Sequence, residues 1–170
     1  MSDATLLDQL KARFGAEILD SQSARGEDTI FIDRERAYDF FRALRDDPNL
    51  QFDFLTDLTA LDWLERKPRF EVVYQLNSLV RGHRLRVKIG VDGSDPWVRS
   101  VVGVWGSADW LEREVFDMFG IDFKGHPDLR RILMYDSFEG HPLRKDYNFQ
   151  KRQPIVPETD PVVNPLRSSR

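Results

Sequence analysis

Leu6, Leu7, Leu10 and Phe14 recur at helical spacing in TLLDQLKARF, and Gly15 offers a stop, so the chain opens with a short amphipathic helix. The apolar period then changes. EILDSQSARGEDTIFID contains two short extended runs around Arg25-Gly26-Glu27-Asp28, the pattern of a hairpin. Ala37, Phe40, Phe41 and Leu44 form the stripe of a second helix, which Asp46-Asp47-Pro48 ends. From Phe52 the alternation is that of strands, with Phe52, Phe54, Thr56 and Leu58 expected on one face. It is clearest in RFEVVYQLNSLVRGHRLRVKIGVDG, where Phe70, Val72, Tyr74 and Leu76 face Leu85, Val87, Ile89 and Val91 across a turn near Arg81-Gly82-His83. Ser107, as an N-cap, introduces a third helix, ADWLEREVFDMF, that stops at Gly120. Hairpins and helices without regular βαβ alternation predict an α+β two-layer sandwich, a mixed sheet of about five strands covered by helices.

After Gly125 this regularity fades, and four prolines fall in the 17 residues from Pro154 to Arg170. Each fixes φ and removes a backbone donor, so the end is expected to be extended. The chain thus divides into a globular domain over 1–123 and an extended strap over 124–170, which lies on another surface or is unstructured when alone. At 170 residues and 41% hydrophobic, one core is within reach. The net charge of −4 is uneven: residues 1–123 carry 16 Lys/Arg against 23 Asp/Glu, and residues 124–170 carry 9 against 6. The basic residues of the strap are too interleaved with apolar ones for a nucleic-acid surface. Cysteine is absent, which removes thiolate zinc sites and iron–sulfur ligation. Asp3 and Asp8 interrupt what a signal peptide keeps basic and apolar, and no apolar run reaches the roughly 18 residues of a membrane span. A cytoplasmic chain is expected, with any membrane attachment supplied by partners.

No GxGxxG, GxxxxGK[ST] or GxSxG motif occurs, so nucleotide loops and hydrolase elbows are unsupported. The chemistry-bearing stretch is a near-repeat, GHPDLRRILMYDSFEGHPLRKD, which sets His126 and His141 each between Gly and Pro. A metal would need these to converge with Asp128, Asp136 or Asp146, and compact ligand spacing is missing. In the plainer reading, Gly supplies unusual backbone angles, Pro stiffens the exit, and the imidazole caps a turn. On the third helix Trp110, Leu111, Val115, Phe116, Met118 and Phe119 cover most of the circumference, with Glu112 and Glu114 inside that arc. Only Arg113 and Asp117 share a polar side. The two glutamates admit three explanations: internal salt bridges to Arg130, Arg131 or Arg144, an acid/base pair with raised pKa, or pairing with a partner's arginines. At i,i+2 they point apart. A small acid/base enzyme using Glu112, Glu114 and His126 around an apolar pocket is the enzymatic alternative. The tryptophans at 63, 97, 105 and 110 suit cores and interfaces better than a stacking platform.

WLEREVFDMFGIDFKGHPDLRRIL, followed by FEGHPLRKDY, resembles the signature of the C subunit of proton-pumping NADH:quinone oxidoreductase, respiratory complex I. FLTDLTALDW, the RFEVVYQLNSL hairpin and SVVGVWGSADW extend the resemblance over residues 50–150, more loosely over the first 50. A chain ending at 170 is similar to the unfused form rather than to fusions with the neighbouring D subunit of the quinone site. The resemblance implies a non-catalytic structural subunit of the peripheral arm, on the cytoplasmic side of the inner membrane, inactive alone. It implies no cofactor in this chain, with FMN and iron–sulfur clusters in partner subunits. The D subunit is implied as chief partner, with the B and I subunits beside it. Electrons pass from NADH to quinone in such a complex, coupled to proton translocation. The interface residues then expected are Glu112, Glu114, His126, Leu129, Arg130, Arg131, His141, Leu143, Arg144 and Lys145, with the near-repeat as a fastening strap. Plastoquinone-reducing and hydrogenase complexes hold related subunits and are the alternative setting.

Overall fold

The computed structural model describes residues 5–153. The expected tail from Pro154 to Arg170 lies outside them. Helix α1 (Leu6–Phe14) begins in a capping box: the Asp8 amide donates to the Thr5 hydroxyl and the Thr5 amide to the Asp8 carboxylate. Strands β1 (Ile18–Ala24) and β2 (Glu27–Ile32) follow, joined by Arg25 and Gly26, both at positive φ as a type I′ turn requires. Then come α2 (Ala37–Asp46) and strands β3 (Phe54–Asp62), β4 (Phe70–Asn77) and β5 (Arg84–Val91). The sheet order is β1-β2-β5-β4-β3, with β2 and β5 parallel and the other neighbours antiparallel. This is the mixed five-stranded α+β sheet that the patterning predicts.

One sheet face carries the core. Ile30 and Ile32 of β2, Phe70, Val72, Tyr74 and Leu76 of β4, and Leu85, Val87, Ile89 and Val91 of β5 are buried, as period two demands. An aromatic chain ties the helices to them: Phe14 meets Phe40 at 5.2 Å between ring centroids, Phe40 meets Phe41 at 6.1 Å, and Phe41 reaches Tyr74 at 4.5 Å and Trp105 at 5.6 Å. The opposite face, apart from Val73, Phe31 and Leu61, is polar and self-paired, with Glu71 on Lys88 at 3.0 Å and Glu27 on Arg86 at 2.7 Å.

Two expectations need correction, and one unit was not foreseen. On β3 the inward residues are Leu55, Leu58 and Ala60, whereas Phe54 is 43% exposed and Thr56 faces out. The register shifts between Leu55 and Asp57, and one extra residue moves the alternation to the other face. Phe52 is buried but precedes the strand. Ser107 stands at the N-cap position of α3 (Ala108–Phe119), but its hydroxyl does not cap the helix: its backbone is already helical, and the hydroxyl donates to the Leu55 carbonyl at 3.3 Å. Finally, β6 (Trp97–Arg99) and β7 (Asp122–Lys124) pair in parallel on either side of α3, a small crossover unit that three-residue strands are too short to announce.

Candidate functional site

The site is the joint between α3 and the segment that follows β7. An α-helix ends with carbonyls that lack helical partners. Gly120, at φ +69°, turns the chain left-handed and its amide returns to the Phe116 carbonyl. The near-repeat occupies the next carbonyls in turn. His141 Nδ1 donates to the Asp117 carbonyl at 3.0 Å, the Leu143 amide to Met118 at 3.1 Å, and the Arg144 guanidinium to Phe119 and Gly120. A cation here also opposes the helix macrodipole. The second Gly-His-Pro corner is therefore the C-terminal cap of α3.

The space is tight. A Cβ on Gly120 would lie 2.5 Å from His141 Nε2 and 2.6 Å from an Arg144 guanidinium nitrogen. Gly120→Ala is expected to strain a left-handed residue and push His141 and Arg144 off the helix end, lowering stability by about 1–3 kcal/mol. Its proton spectrum should show the Leu143 amide exchanging faster while amides of the sheet keep their protection.

Asp117 holds the middle of the segment. Its carboxylate is fully buried and accepts from the amides of Ile132, Leu133 and Met134 at 3.1, 2.8 and 2.8 Å. Arg131 closes on its other oxygen at 2.6 Å and reaches on to the Gly140 carbonyl at 3.0 Å. Burial pushes the Asp117 carboxyl up, but these amides and Arg131 outweigh it and hold the group below the usual range. Arg113, four residues earlier, donates to the carbonyls of Arg130 and Arg131. The polar side that Arg113 and Asp117 share is thus the gripping face.

A second carboxylate ties the far end. Asp62, with 1% of its side chain exposed, accepts two bonds from the Arg69 fork, one from the Leu64 amide and one from the Lys145 amide at 2.9 Å. Arg69 also pairs with Asp146 at 2.8 Å. Burial works against ionisation of Asp62, yet Arg69 and the two amides bring its pKa down to about 2.

The first corner is anchored differently. The His126 side chain is fully buried, with Nδ1 accepting from the Asp128 amide at 3.0 Å and Nε2 lying 3.2 Å from the Asp109 carbonyl and 4.0 Å from Glu112 Oε2. Gly125 and Gly140 both stand at positive φ, so the backbone role expected of glycine in each corner holds. Among the described residues no group of His, Asp and Glu is arranged to hold a metal.

The expected interface residues therefore divide. Leu129 packs against the core, His141 lies against Phe116, and Arg131 and Arg144 bond within the chain. Glu114, Arg130, Leu143 and Lys145 face outward, Arg130 beside Asp128. Glu112 makes no salt bridge to Arg130, Arg131 or Arg144: it is fully buried and accepts from the Val101 amide at 2.7 Å. Glu114, on the exposed side, pairs with none of those arginines either, so Glu112, Glu114 and His126 do not converge on one cleft. Sequence reasoning missed Asp62, Arg69 and the structural part of Asp117.

The fold is one found in respiratory membrane complexes. It is shared with a chain of the membrane-bound sulfane sulfur reductase, an archaeal respiratory membrane complex, at TM-score 0.71 and 22% identity over 85% of each chain. The chain belongs to the family described as respiratory-chain NADH dehydrogenase, 30 Kd subunit, whose model matches residues 30–153. The C subunit of NADH-quinone oxidoreductase from Roseiflexus sp. is 50% identical over 146 residues, 86% of this chain and 84% of that protein. Its counterpart in Geobacter sulfurreducens is 50% identical over 143 residues, 84% and 87%. A trypsin-resistant fragment (1-134) of Nqo5 superposes at TM-score 0.64 with 36% identity, covering 73% of this chain and 96% of the fragment.

Proposed function

We propose that this chain is a non-catalytic structural subunit of the peripheral arm of NADH:quinone oxidoreductase, docked chiefly on the D subunit with the B and I subunits nearby. Electron transfer from NADH to quinone, proton translocation, FMN and the iron–sulfur clusters belong to the assembled complex, with no cofactor in this chain. Attachment at the cytoplasmic side of the inner membrane comes through partners; no helix among the described residues is long and apolar enough to cross a membrane.

The observation that carries this reading is what the strap leaves exposed. Its backbone is clamped to α3 and β3, while Leu133, Leu143 and Phe149 stand 56%, 54% and 84% exposed, with Trp110 of α3 at 62%. Aromatic and aliphatic side chains held out from an ordered backbone are the material of protein interfaces. The test is recovery of complex from native membranes in mild detergent through a tagged chain. Leu133→Asp combined with Leu143→Asp should leave the isolated chain folded and cut the co-purifying cluster-bearing subunits at least tenfold. Undiminished recovery of those subunits with NADH:quinone activity would remove the strap from the interface.

A further inference from the structure

Among the described residues, Glu112 Oε2 and the Tyr74 hydroxyl are buried polar atoms without a hydrogen-bond partner. Both side chains are fully buried, and the Glu112 charge lies near enough to Tyr74 to add to the effect of burial in raising the phenol well above its ordinary range. No lysine or arginine among the described residues pairs with Glu112. What faces it is, from the loop before α3, the Ser100 hydroxyl and the Val101 amide; from α3 itself, Asp109; from the strap, His126; and from β4, Tyr74. An ionised carboxylate with a bare oxygen in such surroundings is disfavoured, whereas the neutral acid is tolerated.

His126 supplies the second half of the geometry. The Asp128 amide donates to Nδ1, so the hydrogen of the neutral ring sits on Nε2. That one donor lies between two acceptors. Asp109 offers its carbonyl at 3.2 Å and its carboxylate at 3.3 Å, and Glu112 Oε2 is 4.0 Å away. We propose that Glu112 binds one exchangeable proton in the core and thereby sets which acceptor the His126 ring serves. With Glu112 neutral, the Nε2–H stays on Asp109. When the Glu112 O–H bond breaks and the proton passes to water, the new carboxylate draws the Nε2–H, and the first Gly-His-Pro corner with it, from Asp109 to Glu112 about one turn further along α3. Asp109, 39% exposed on its side chain, marks the solvent end of this path.

Burial, with some help from Asp109 and against the Ser100 and Val101 hydrogen bonds, pushes Glu112 from 4.5 to about 7. The native state then keeps a proton that the unfolded chain releases between those values. The Glu112 contribution to stability is highest below pH 4.5, falls as pH rises to about 7, and is level above it. The fall corresponds to roughly 100- to 1,000-fold in the folding equilibrium constant.

The experiment is carbon NMR of the full 170-residue chain labelled at the glutamate carboxyls, with the His126 Nε2–H resonance followed over the same pH range. One glutamate should titrate near pH 7 and vanish in Glu112→Gln, and the His126 Nε2–H resonance of the parent should show a step at that midpoint that Glu112→Gln lacks. Asp109→Asn provides the assignment should Glu112→Gln fail to fold, because its charge helps raise Glu112 and the Glu112 midpoint alone among the glutamates should fall. Every glutamate titrating below about pH 5.5, or a signal near 7 that survives Glu112→Gln, overturns the proton site. A His126 resonance indifferent to Glu112 ionisation overturns the switch of acceptor.

Discussion

Asp117→Ala is expected to lower stability by about 4 kcal/mol, the size found when one member of a buried ion pair is removed and the other remains. Arg131, with 17% of its side chain exposed, would keep its charge and lose its counterion, and the amides of Ile132, Leu133 and Met134 would lose their acceptor together. Against the roughly 5–15 kcal/mol that a domain of this kind holds in reserve, that is a large fraction. Denaturant unfolding reads the change as a lower midpoint at unchanged slope. Asp117→Asn retains one oxygen acceptor and should lose less. Equal stability of Asp117→Ala and the parent would mean that the carboxylate does not organise the segment.

Asp62→Ala should cost about 3 kcal/mol by the same reasoning, since Arg69 would be left with the half-exposed Asp146 alone. This variant also has a signature in pH. The Asp62 carboxyl sits at about 2 in the folded chain against an ordinary 3.8, so its contribution is present above about pH 4 and lost as pH falls toward 2. About 2 kcal/mol of acid-side stability should therefore vanish from the profile of the variant. The direction is opposite to that of Glu112, which weakens the fold between 4.5 and 7. A parent profile with no acid limb that Asp62→Ala removes would contradict the Asp62–Arg69 anchor.

The sheet was readable because β5 alternates without interruption and β4 does so except at Val73, and Phe70 to Leu76 and Leu85 to Val91 lie where period two puts them. Arg25-Gly26 showed the first hairpin for a similar reason: few residues other than glycine accept that turn. β3 was readable as a strand but not in its facing, because the shift at Leu55/Asp57 leaves no mark beyond a three-residue gap between inward leucines. The site was half legible. Its stretch and its Gly-Pro corners stood out, and His126 does accept a local amide, from Asp128, whereas the His141 ring serves a carbonyl 24 residues upstream. The direction of the charges did not follow from the sequence. Arg131 and Arg144 looked like residues reaching for a neighbour, yet the carboxylate and helix end they serve lie 14 and about 25 residues upstream. Asp117 showed only as part of the polar side of α3, and that side is covered by the strap itself. Asp62 lies 83 residues from Lys145, a pairing that no local pattern records.

These anchors together make residues 124–153 of the strap a part of this chain's own fold. Amide hydrogen exchange on the isolated chain tests that most directly. The amides of Ile132, Leu133, Met134, Leu143 and Lys145 should exchange with protection comparable to that at the C-terminal end of α3, and the further protection gained in the assembled complex should be small. Amides at 132–134, 143 and 145 that exchange as freely as an unfolded chain when alone, and become protected only in the complex, would show that the partner folds the strap.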